Sequence, residues 1–222
     1  MYCRPCRMAA PEFECAVAHG LYTGTMRALL HLLKYDGLEP IALKLGAMLA
    51  VQVAAIDGLP AKMVVVPVPL YEGKRRERGF NQSELLARAL CNSMRRLCPE
   101  WRGELAPRVM IRQRATASQA GLTLHERRRN LRGVFSVTEP ERLRGRDILL
   151  IDDIYTTGAT ARACSTALKK GGAAQVWVAT VARAQRQEIQ FAPSSNAATE
   201  PPMHEDIAMW DGAMSDGGKA KR

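Results

Sequence analysis

The sequence contains few aromatic residues and no long apolar segment. Phe, Trp and Tyr together make up 5% of the 222 residues, and no run of about 18 apolar residues is present to cross a bilayer. The N-terminus also lacks the uninterrupted apolar stretch of a secretory signal. We therefore expect no membrane span and a cytoplasmic location, in which the 6 cysteines are reduced thiols.

Common nucleotide- and DNA-binding patterns are absent as well. The chain has neither the GxxxxGKS/T pattern of a P-loop nor the GxGxxG pattern of a dinucleotide site. No helix-turn-helix or intact zinc-finger pattern is present either. A nucleotide or phosphate site in this chain therefore has to be built in another way.

Basic residues are in excess. The formal net charge is +10, from 32 Lys and Arg against 22 Asp and Glu. Such an excess can attract nucleic acid or a highly phosphorylated small molecule, and a solvated surface is the plain alternative. Much of the charge falls in two clusters: Lys74, Arg75, Arg76 and Arg78, and then Arg108, Arg112, Arg114, Arg127, Arg128, Arg129 and Arg132.

Apolar periodicity predicts alternating helices and strands. Helices are predicted over residues 26–35, 41–53 and 159–170, and a further one is capped by Asn81 and ends at Leu97. Strands are predicted over residues 63–66, 109–111, 135–137, 147–151 and 175–181. This alternation is typical of an α/β fold with a parallel sheet flanked by helices, which binds ligands beyond the carboxyl ends of its strands.

The same patterns divide the chain into three parts. Residues 1–60 are predicted to form a small N-terminal appendage, helical or a degenerate zinc ribbon. Residues 61–183 form the principal domain. Residues 184–222 are rich in Gln, Ser, Ala, Pro and Gly without a sustained apolar period, which predicts a disordered tail.

The segment 148–161, ILLIDDIYTTGATA, carries the clearest chemistry. A buried strand delivers Asp152 and Asp153 to the sheet edge, where adjacent carboxylates can accept hydrogen bonds from the two hydroxyls of a sugar diol. The following residues place hydroxyls and backbone N–H groups at a helix N-terminus, where the helix dipole favours phosphate. The plain alternative is a strand that ends in a polar turn, with the aspartates as helix caps.

This segment closely resembles the phosphoribosyl-pyrophosphate signature of type I phosphoribosyltransferases. Three further stretches resemble the ComF branch of that family: HLLKYDG from His31, RRERGFNQSELLA from Arg75, and RQRATASQAGLTLHERRRNLRGVF from Arg112. The resemblance extends over most of the chain up to about Arg183, and it implies the type I phosphoribosyltransferase fold.

The resemblance also implies a ligand and roles for individual residues. Asp152 and Asp153 would be the catalytic pair, which holds the ribose hydroxyls of 5-phosphoribosyl-1-pyrophosphate and contacts Mg²⁺ through those hydroxyls or through water. The segment from Arg112 to Asn130 would form a flexible cover over the site, with Arg112 and Arg114 as its candidate ligand contacts. Binding of the phosphates is assigned to Tyr155, Thr156, Thr157, Gly158, Ala159 and Thr160, and to Val68, Pro69, Arg75 and Arg76 on the pyrophosphate side.

The N-terminus contains half of a zinc signature. Cys3 and Cys6 have the CxxC spacing that lets two thiolates bind one zinc, but a structural site needs four ligands. Cys15 and His19 could complete a set, although neither lies where the resemblance places a ligand. We therefore expect an incomplete zinc site.

Three functions are compatible with these features. The first is a phosphoribosyltransferase that acts on an unknown acceptor. The second is a non-catalytic module that binds phosphoribosyl pyrophosphate or a nucleotide and works with protein partners in DNA uptake or recombination, as the ComF resemblance implies. The third is direct nucleic-acid binding through the basic clusters, which predicts an affinity that depends on salt.

Overall fold

The computed structural model describes residue 6 and residues 10–35, 38–115 and 130–185. All of them belong to one compact unit, Met1–Arg186. The strands are β1 (Ala16–Leu21), β2 (Lys62–Pro67), β3 (Arg102–Leu105), β4 (Met110–Arg112), β5 (Phe135–Val137), β6 (Ile148–Tyr155) and β7 (Val176–Arg183). The helices are α1 (Gly24–Tyr35), α2 (Glu39–Ala54), α3 (Glu72–Arg78), α4 (Gln82–Leu97) and α5 (Ala159–Lys170), with a short 3₁₀ helix at Pro140–Arg142.

Five of the strands form one parallel sheet in the order β1-β7-β6-β2-β3. Strand β6 lies at its centre, where Leu149 pairs with Val65 on one side and with Trp177 on the other. Strands β4 and β5 form a separate antiparallel ribbon. The predicted α/β class, with a parallel sheet flanked by helices, is therefore confirmed.

Each central strand contributes alternate residues to two hydrophobic cores, because successive side chains of a strand point to opposite faces. Val65 and Ile151 pack with residues of α1, α2 and α4. Val66 and Leu150 pack on the other face with residues of α5. Strands buried on both faces need apolar residues at nearly every position, which explains the continuous apolar runs in β2 and β6.

Helices α2 and α4 pack closely. Gly46 of α2 lies against α4, and a Cβ added at Gly46 would overlap the Cβ of Ala89. Leu86 and Leu90 of α4 are fully buried in the same core, and burial of each side chain contributes about 1.5–3 kcal/mol relative to exposure. This packing holds α4 on the sheet with its N-terminus near the carboxyl end of β6.

The predicted strands and helices are all present, with ends shifted by up to four residues, but β1, α3, β3 and the short 3₁₀ helix were not predicted. Residues 1–60 were expected to form an appendage. Instead, β1 extends the main sheet by pairing with β7, as in the pair Ala18 and Thr180, and α2 contributes Leu45 and Leu49 to the core. Residues 186–222, most of the predicted tail, lie outside the described residues.

No helix in the described part of the chain is both long enough and apolar enough to span a membrane.

Candidate functional site

A cleft of about 490 Å³ lies beyond the carboxyl ends of β2 and β6. The loop after β2 lines it on one side, and the end of β6 and the start of α5 line it on the other. Lys34 of α1 and the first residues of α4 also reach it. This is the position at which a parallel α/β sheet is expected to bind its ligand.

Asp152 and Asp153 lie side by side within this cleft. Strand β6 continues through both residues, so Asp153 follows Ile151 on the face of α4 and Asp152 follows Leu150 on the face of α5. The backbone N–H of Asp153 donates to Asp152 Oδ1 at 2.9 Å. The side chain of Asp153 is largely buried, with only 8% exposed.

Three side chains from other elements donate to the two carboxylates. Ser83 Oγ donates to Asp152 Oδ1 at 3.2 Å. Gln82 Nε2 lies 3.4 Å from Asp153 Oδ2, and Lys34 Nζ lies 2.9 Å from the same oxygen. Asp152 Oδ2 and Asp153 Oδ1 have no protein partner within the described residues. Each acid therefore has one oxygen engaged by protein donors and one oxygen without a partner in the described residues.

The start of α4 is held in place by Asn81. Its side chain accepts a hydrogen bond from the backbone N–H of Ser83 at 3.0 Å and donates to the carbonyl of Val68 at 3.1 Å. The cap predicted at Asn81 is therefore confirmed. Glu84 follows Asn81 at the spacing of a capping box, but its side chain forms ion pairs with Arg75 at 3.5 Å and Arg88 at 3.4 Å.

The charges of the site perturb each other. Burial, together with repulsion from Asp153, raises the pKa of Asp152 to about 7. Burial alone would lower the pKa of Lys34, but attraction to Asp153 and the hydrogen bond between them outweigh it, and the pKa of Lys34 is raised. Lys34 is therefore a stable cation beside the acid pair.

The turn after β6 leads directly into α5. Gly158 has φ 75°, and the helix begins at Ala159. The hydroxyl of Thr157 accepts a hydrogen bond from the backbone N–H of Ala159 at 3.4 Å. Thr156 and Thr160 line the cleft. Tyr155 packs against Gly158, and Arg183 lies 6.0 Å from the centre of its ring.

Of the residues predicted on the pyrophosphate side, Val68 and Pro69 line the cleft, and Arg75 and Arg76 do not. Arg75 pairs with Glu84, and Arg76 pairs at 3.2 Å with Glu72 on the exposed side of α3. The first basic cluster lies in helix α3, which turns successive side chains to different sides. Lys74 is the member of the cluster that lines the cleft.

The two arginines predicted for the cover segment also separate. Arg112 lines the cleft, with its guanidinium 5.8 Å from the centre of the Phe135 ring, and its backbone forms an isolated bridge with Tyr71. Arg114 is exposed and donates to the carbonyl of Arg132 at 3.4 Å. Residues 116–129, most of the predicted cover segment, lie outside the described residues.

Comparison with known proteins identifies the family. The chain is 34% identical over 180 residues to the DNA utilization protein YhgH of Escherichia coli O157:H7, which is 79% of this chain and 75% of that protein. It is 28% identical over 187 residues to Competence protein F of Haemophilus influenzae, which is 82% of this chain and 79% of that protein. The chain belongs to the ComF family. Membership confirms the resemblance to the ComF family that was drawn from the motifs.

The chain was also compared with protein-family models and with solved structures. No family model matches the chain. Among solved structures, the glutamine phosphoribosylpyrophosphate (PRPP) amidotransferase from B. subtilis, complexed with ADP and GMP, has a TM-score of 0.37 and 23% sequence identity, over 62% of this chain and 25% of that chain.

Sequence reasoning missed the donors that hold the acid pair. Lys34, Gln82 and Ser83 contact the two aspartates, but they lie far from them in the sequence. All three fall within the stretches HLLKYDG and RRERGFNQSELLA, which were recognised only as family motifs. The signal that could have found them was the presence of a lysine, an amide and a hydroxyl side chain within these family motifs.

The predicted zinc site is not resolved by the structure. Cys3 lies outside the described residues, and the sulfur of Cys6 accepts a hydrogen bond from Arg162 at 3.4 Å. Among the residues that the structure describes, no group of three or more His, Cys, Asp and Glu side chains could hold a metal ion. The incomplete zinc site therefore stays a prediction.

Proposed function

We propose that the cleft binds 5-phosphoribosyl-1-pyrophosphate together with Mg²⁺. The observation that carries this proposal is the arrangement of Asp152 and Asp153. Each has one oxygen engaged by protein donors and one without a partner in the described residues. Two such oxygens on adjacent residues suit the two neighbouring hydroxyls of a ribose.

The start of α5 supports the position of the 5′-phosphate. Thr156 and Thr160 bring two hydroxyls to the cleft, and the helix N-terminus adds backbone N–H groups and a favourable dipole. The positive φ of Gly158 allows the chain to turn sharply between the acid pair and the helix. A ribose held by the acids would therefore have its phosphate beside this turn.

The pyrophosphate would lie toward the loop after β2. Val68 and Pro69 line this side of the cleft, and Lys74 and Arg112 bring positive charge to it. Two cations can offset much of the charge of a pyrophosphate group that is partly removed from water. Arg75 and Arg76 are not required for this contact.

The donor set is compatible with Mg²⁺. This ion takes oxygen ligands and is usually bound by one or two carboxylates together with phosphates of the substrate and water. Asp152 and Asp153 supply two carboxylates in one cleft. When bound, Mg²⁺ would stabilise the negative charge on the departing pyrophosphate.

We propose further that the protein transfers the phosphoribosyl group to an acceptor whose identity is unknown. In such a transfer the bond from C1 to pyrophosphate breaks, and positive charge develops on the ribose ring. The carboxylates of Asp152 and Asp153 would orient the sugar and stabilise this charge. No covalent intermediate with the protein is needed, and Cys164, whose pKa is raised well above its usual value by burial, is unsuited to act as a nucleophile.

The names of the relatives favour a second candidate function. DNA utilization protein YhgH and Competence protein F are named for the use and uptake of DNA. A protein that binds phosphoribosyl pyrophosphate or a nucleotide without turning it over, and that acts through partners in DNA uptake, would also keep the acid pair and the phosphate turn.

Pyrophosphate release separates the two candidates. The purified full-length chain is incubated with Mg²⁺, phosphoribosyl pyrophosphate and a panel of nitrogenous bases and amines. The transferase predicts pyrophosphate release that depends on one acceptor and is lost in Asp152→Asn combined with Asp153→Asn. Binding of the ligand without release for any acceptor would favour the non-catalytic module.

A further inference from the structure

The C-terminal end of α1 reaches across the site to one of the two acids. Lys34 Nζ lies 2.9 Å from Asp153 Oδ2, and the lysine side chain is 24% exposed. Lys34 also lines the cleft. An N-terminal helix, which takes no part in the acid strand or the phosphate turn, thus supplies a cation to the candidate ligand site.

A chain of contacts ties the same carboxylate oxygen to two other helices. Gln82 Nε2 lies 3.4 Å from Asp153 Oδ2, and its Oε1 accepts a hydrogen bond from Arg78 at 2.7 Å. The Arg78 guanidinium lies 5.6 Å from the centre of the Tyr35 ring. Tyr35 directly follows Lys34 in α1. The contacts of Lys34, Gln82 and Arg78 therefore link α1, α3 and α4 to one another and to Asp153, and we call this set of contacts the circuit.

This circuit determines which oxygen of Asp153 is available. Lys34 and Gln82 both approach Oδ2, so Oδ1 is the oxygen left without a partner in the described residues. A carboxylate with two donors on one oxygen has a preferred rotation about its last torsion. The positive charge of Lys34 also offsets the repulsion between Asp153 and its neighbour Asp152.

We propose that Lys34 is a positioning residue of the ligand site, which holds Asp153 through one carboxylate oxygen so that the other oxygen meets a ribose hydroxyl. This inference rests on the proposed binding of phosphoribosyl pyrophosphate. Lys34 acts through Asp153 on the diol of the ligand, and it has no part in the phosphate turn formed by Thr156 and Thr160.

The proposal predicts an effect that depends on the chemistry of the ligand. Replacing Lys34 by methionine keeps the length of the side chain and removes the ammonium group. Binding of magnesium phosphoribosyl pyrophosphate, which has a diol, is expected to weaken about tenfold or more. Binding of pyrophosphate without Mg²⁺, which offers Asp153 neither a diol nor a metal ion, is expected to change by less than about twofold.

Calorimetric titration of the full-length chain with both ligands tests this. Lys44→Met, on the exposed side of α2, is the matched control and should bind both ligands like the unmodified chain. Lys34→Arg keeps the charge and is expected to retain most of the affinity. In an Asp153→Asn background, Lys34→Met should have no further effect on binding of the diol ligand, because its route to the ligand has been removed.

The outcomes are distinct. Equal weakening of both ligands by Lys34→Met would show a general structural role and overturn the proposal, as would unchanged binding of both. If Lys34→Met does not fold, Lys34→Gln, which also removes the charge, takes its place, and equal weakening of both ligands in that variant would also overturn the proposal. Failure of the unmodified chain to bind phosphoribosyl pyrophosphate would instead contradict the proposed function on which this inference rests.

Discussion

The hydroxyl of Ser83 donates to Asp152 Oδ1 at 3.2 Å, although the two residues are 69 positions apart in the chain. This contact joins the start of α4 to the end of β6. Asp152 is nevertheless an unfavourable residue in the folded protein, because burial and repulsion from Asp153 raise its pKa to about 7. A charge that is costly to keep in a cleft is typical of a residue retained for binding or chemistry.

The raised pKa of Asp152 predicts a pH dependence of stability. From the ordinary value of 3.8 up to about 7, the folded chain holds a proton on Asp152 that the unfolded chain has released. The free energy of unfolding therefore falls as the pH rises through this window. Asp152→Asn does not titrate, so it should remove this fall and be more stable than the unmodified chain above about pH 7.

Urea denaturation at several pH values checks this prediction. Asp147→Asn, at the other end of β6, is the control and should keep the pH dependence of the unmodified chain. An Asp152→Asn variant whose stability falls with pH as steeply as that of the unmodified chain would show that Asp152 is ionised throughout.

Most of the fold could be predicted from the sequence because its central elements are strongly patterned. Burial in the two cores requires the apolar runs of β2 and β6 and the apolar periodicity of α4. These patterns are visible in the sequence and predict the elements. The exceptions follow the same logic. Helix α3, EGKRRER, has no large apolar residue, and strand β1, AVAHGL, is short and contains His19 and Gly20. Strand β1 forms by pairing with β7, which lies more than a hundred residues later in the chain, so its own sequence carries no local signal of the pairing.

Gly158 is predicted to be intolerant of a side chain. Its φ of 75° is strained for other residues, and an added Cβ would overlap the hydroxyl of Tyr155. Gly145 has a similar φ of 67° with no atom within 4 Å of such a Cβ. Gly145→Ala should therefore lower the free energy of unfolding by about 1–2 kcal/mol through strain alone, and Gly158→Ala by more.

Chemical denaturation of both variants measures the difference between their free energies of unfolding. Repeating Gly158→Ala in a Tyr155→Ala background shows how much of the loss comes from the overlap with the Tyr155 hydroxyl. In that background, Gly158→Ala should lower the free energy of unfolding by no more than Gly145→Ala does. Equal costs for Gly158→Ala and Gly145→Ala in the unmodified chain would show that Tyr155 moves aside without loss.

Two threonines near the start of α5, Thr157 and Thr160, are predicted to respond differently to loss of the hydroxyl. The hydroxyl of Thr157 accepts from the backbone N–H of Ala159, so Thr157→Val should lower the free energy of unfolding by about 1 kcal/mol. Thr160 lines the cleft, so Thr160→Val should weaken phosphoribosyl pyrophosphate about tenfold through loss of a hydrogen bond to a charged phosphate. Thermal unfolding measures the loss of stability in both variants, and calorimetry measures their loss of affinity for the ligand. A larger loss of affinity in Thr157→Val than in Thr160→Val would show that Thr157, and not Thr160, contacts the phosphate.

The candidate site was predictable only where its residues adjoin in the sequence. Asp152, Asp153 and the turn that follows them form one continuous segment, so their order alone indicated a diol beside a phosphate. Lys34 and Ser83 come from helices of the N-terminal half, and only the packing of those helices on the sheet brings them to the acids. Arg75 and Arg76 were assigned to the pyrophosphate side by the family resemblance, but the helical geometry of α3 decides which basic side chain lines the cleft.

The central claim is tested most directly by calorimetric titration of the full-length chain with phosphoribosyl pyrophosphate, in the presence and absence of Mg²⁺. The unmodified chain and Asp147→Asn should bind the ligand in a Mg²⁺-dependent manner and be stabilised by it against heat. Asp152→Asn combined with Asp153→Asn should fold and lose affinity by about 1.5–3 kcal/mol for each charged hydrogen bond removed. A double variant that binds like the unmodified chain but unfolds at a much lower temperature would contradict the account, because the two aspartates would then serve as structural caps.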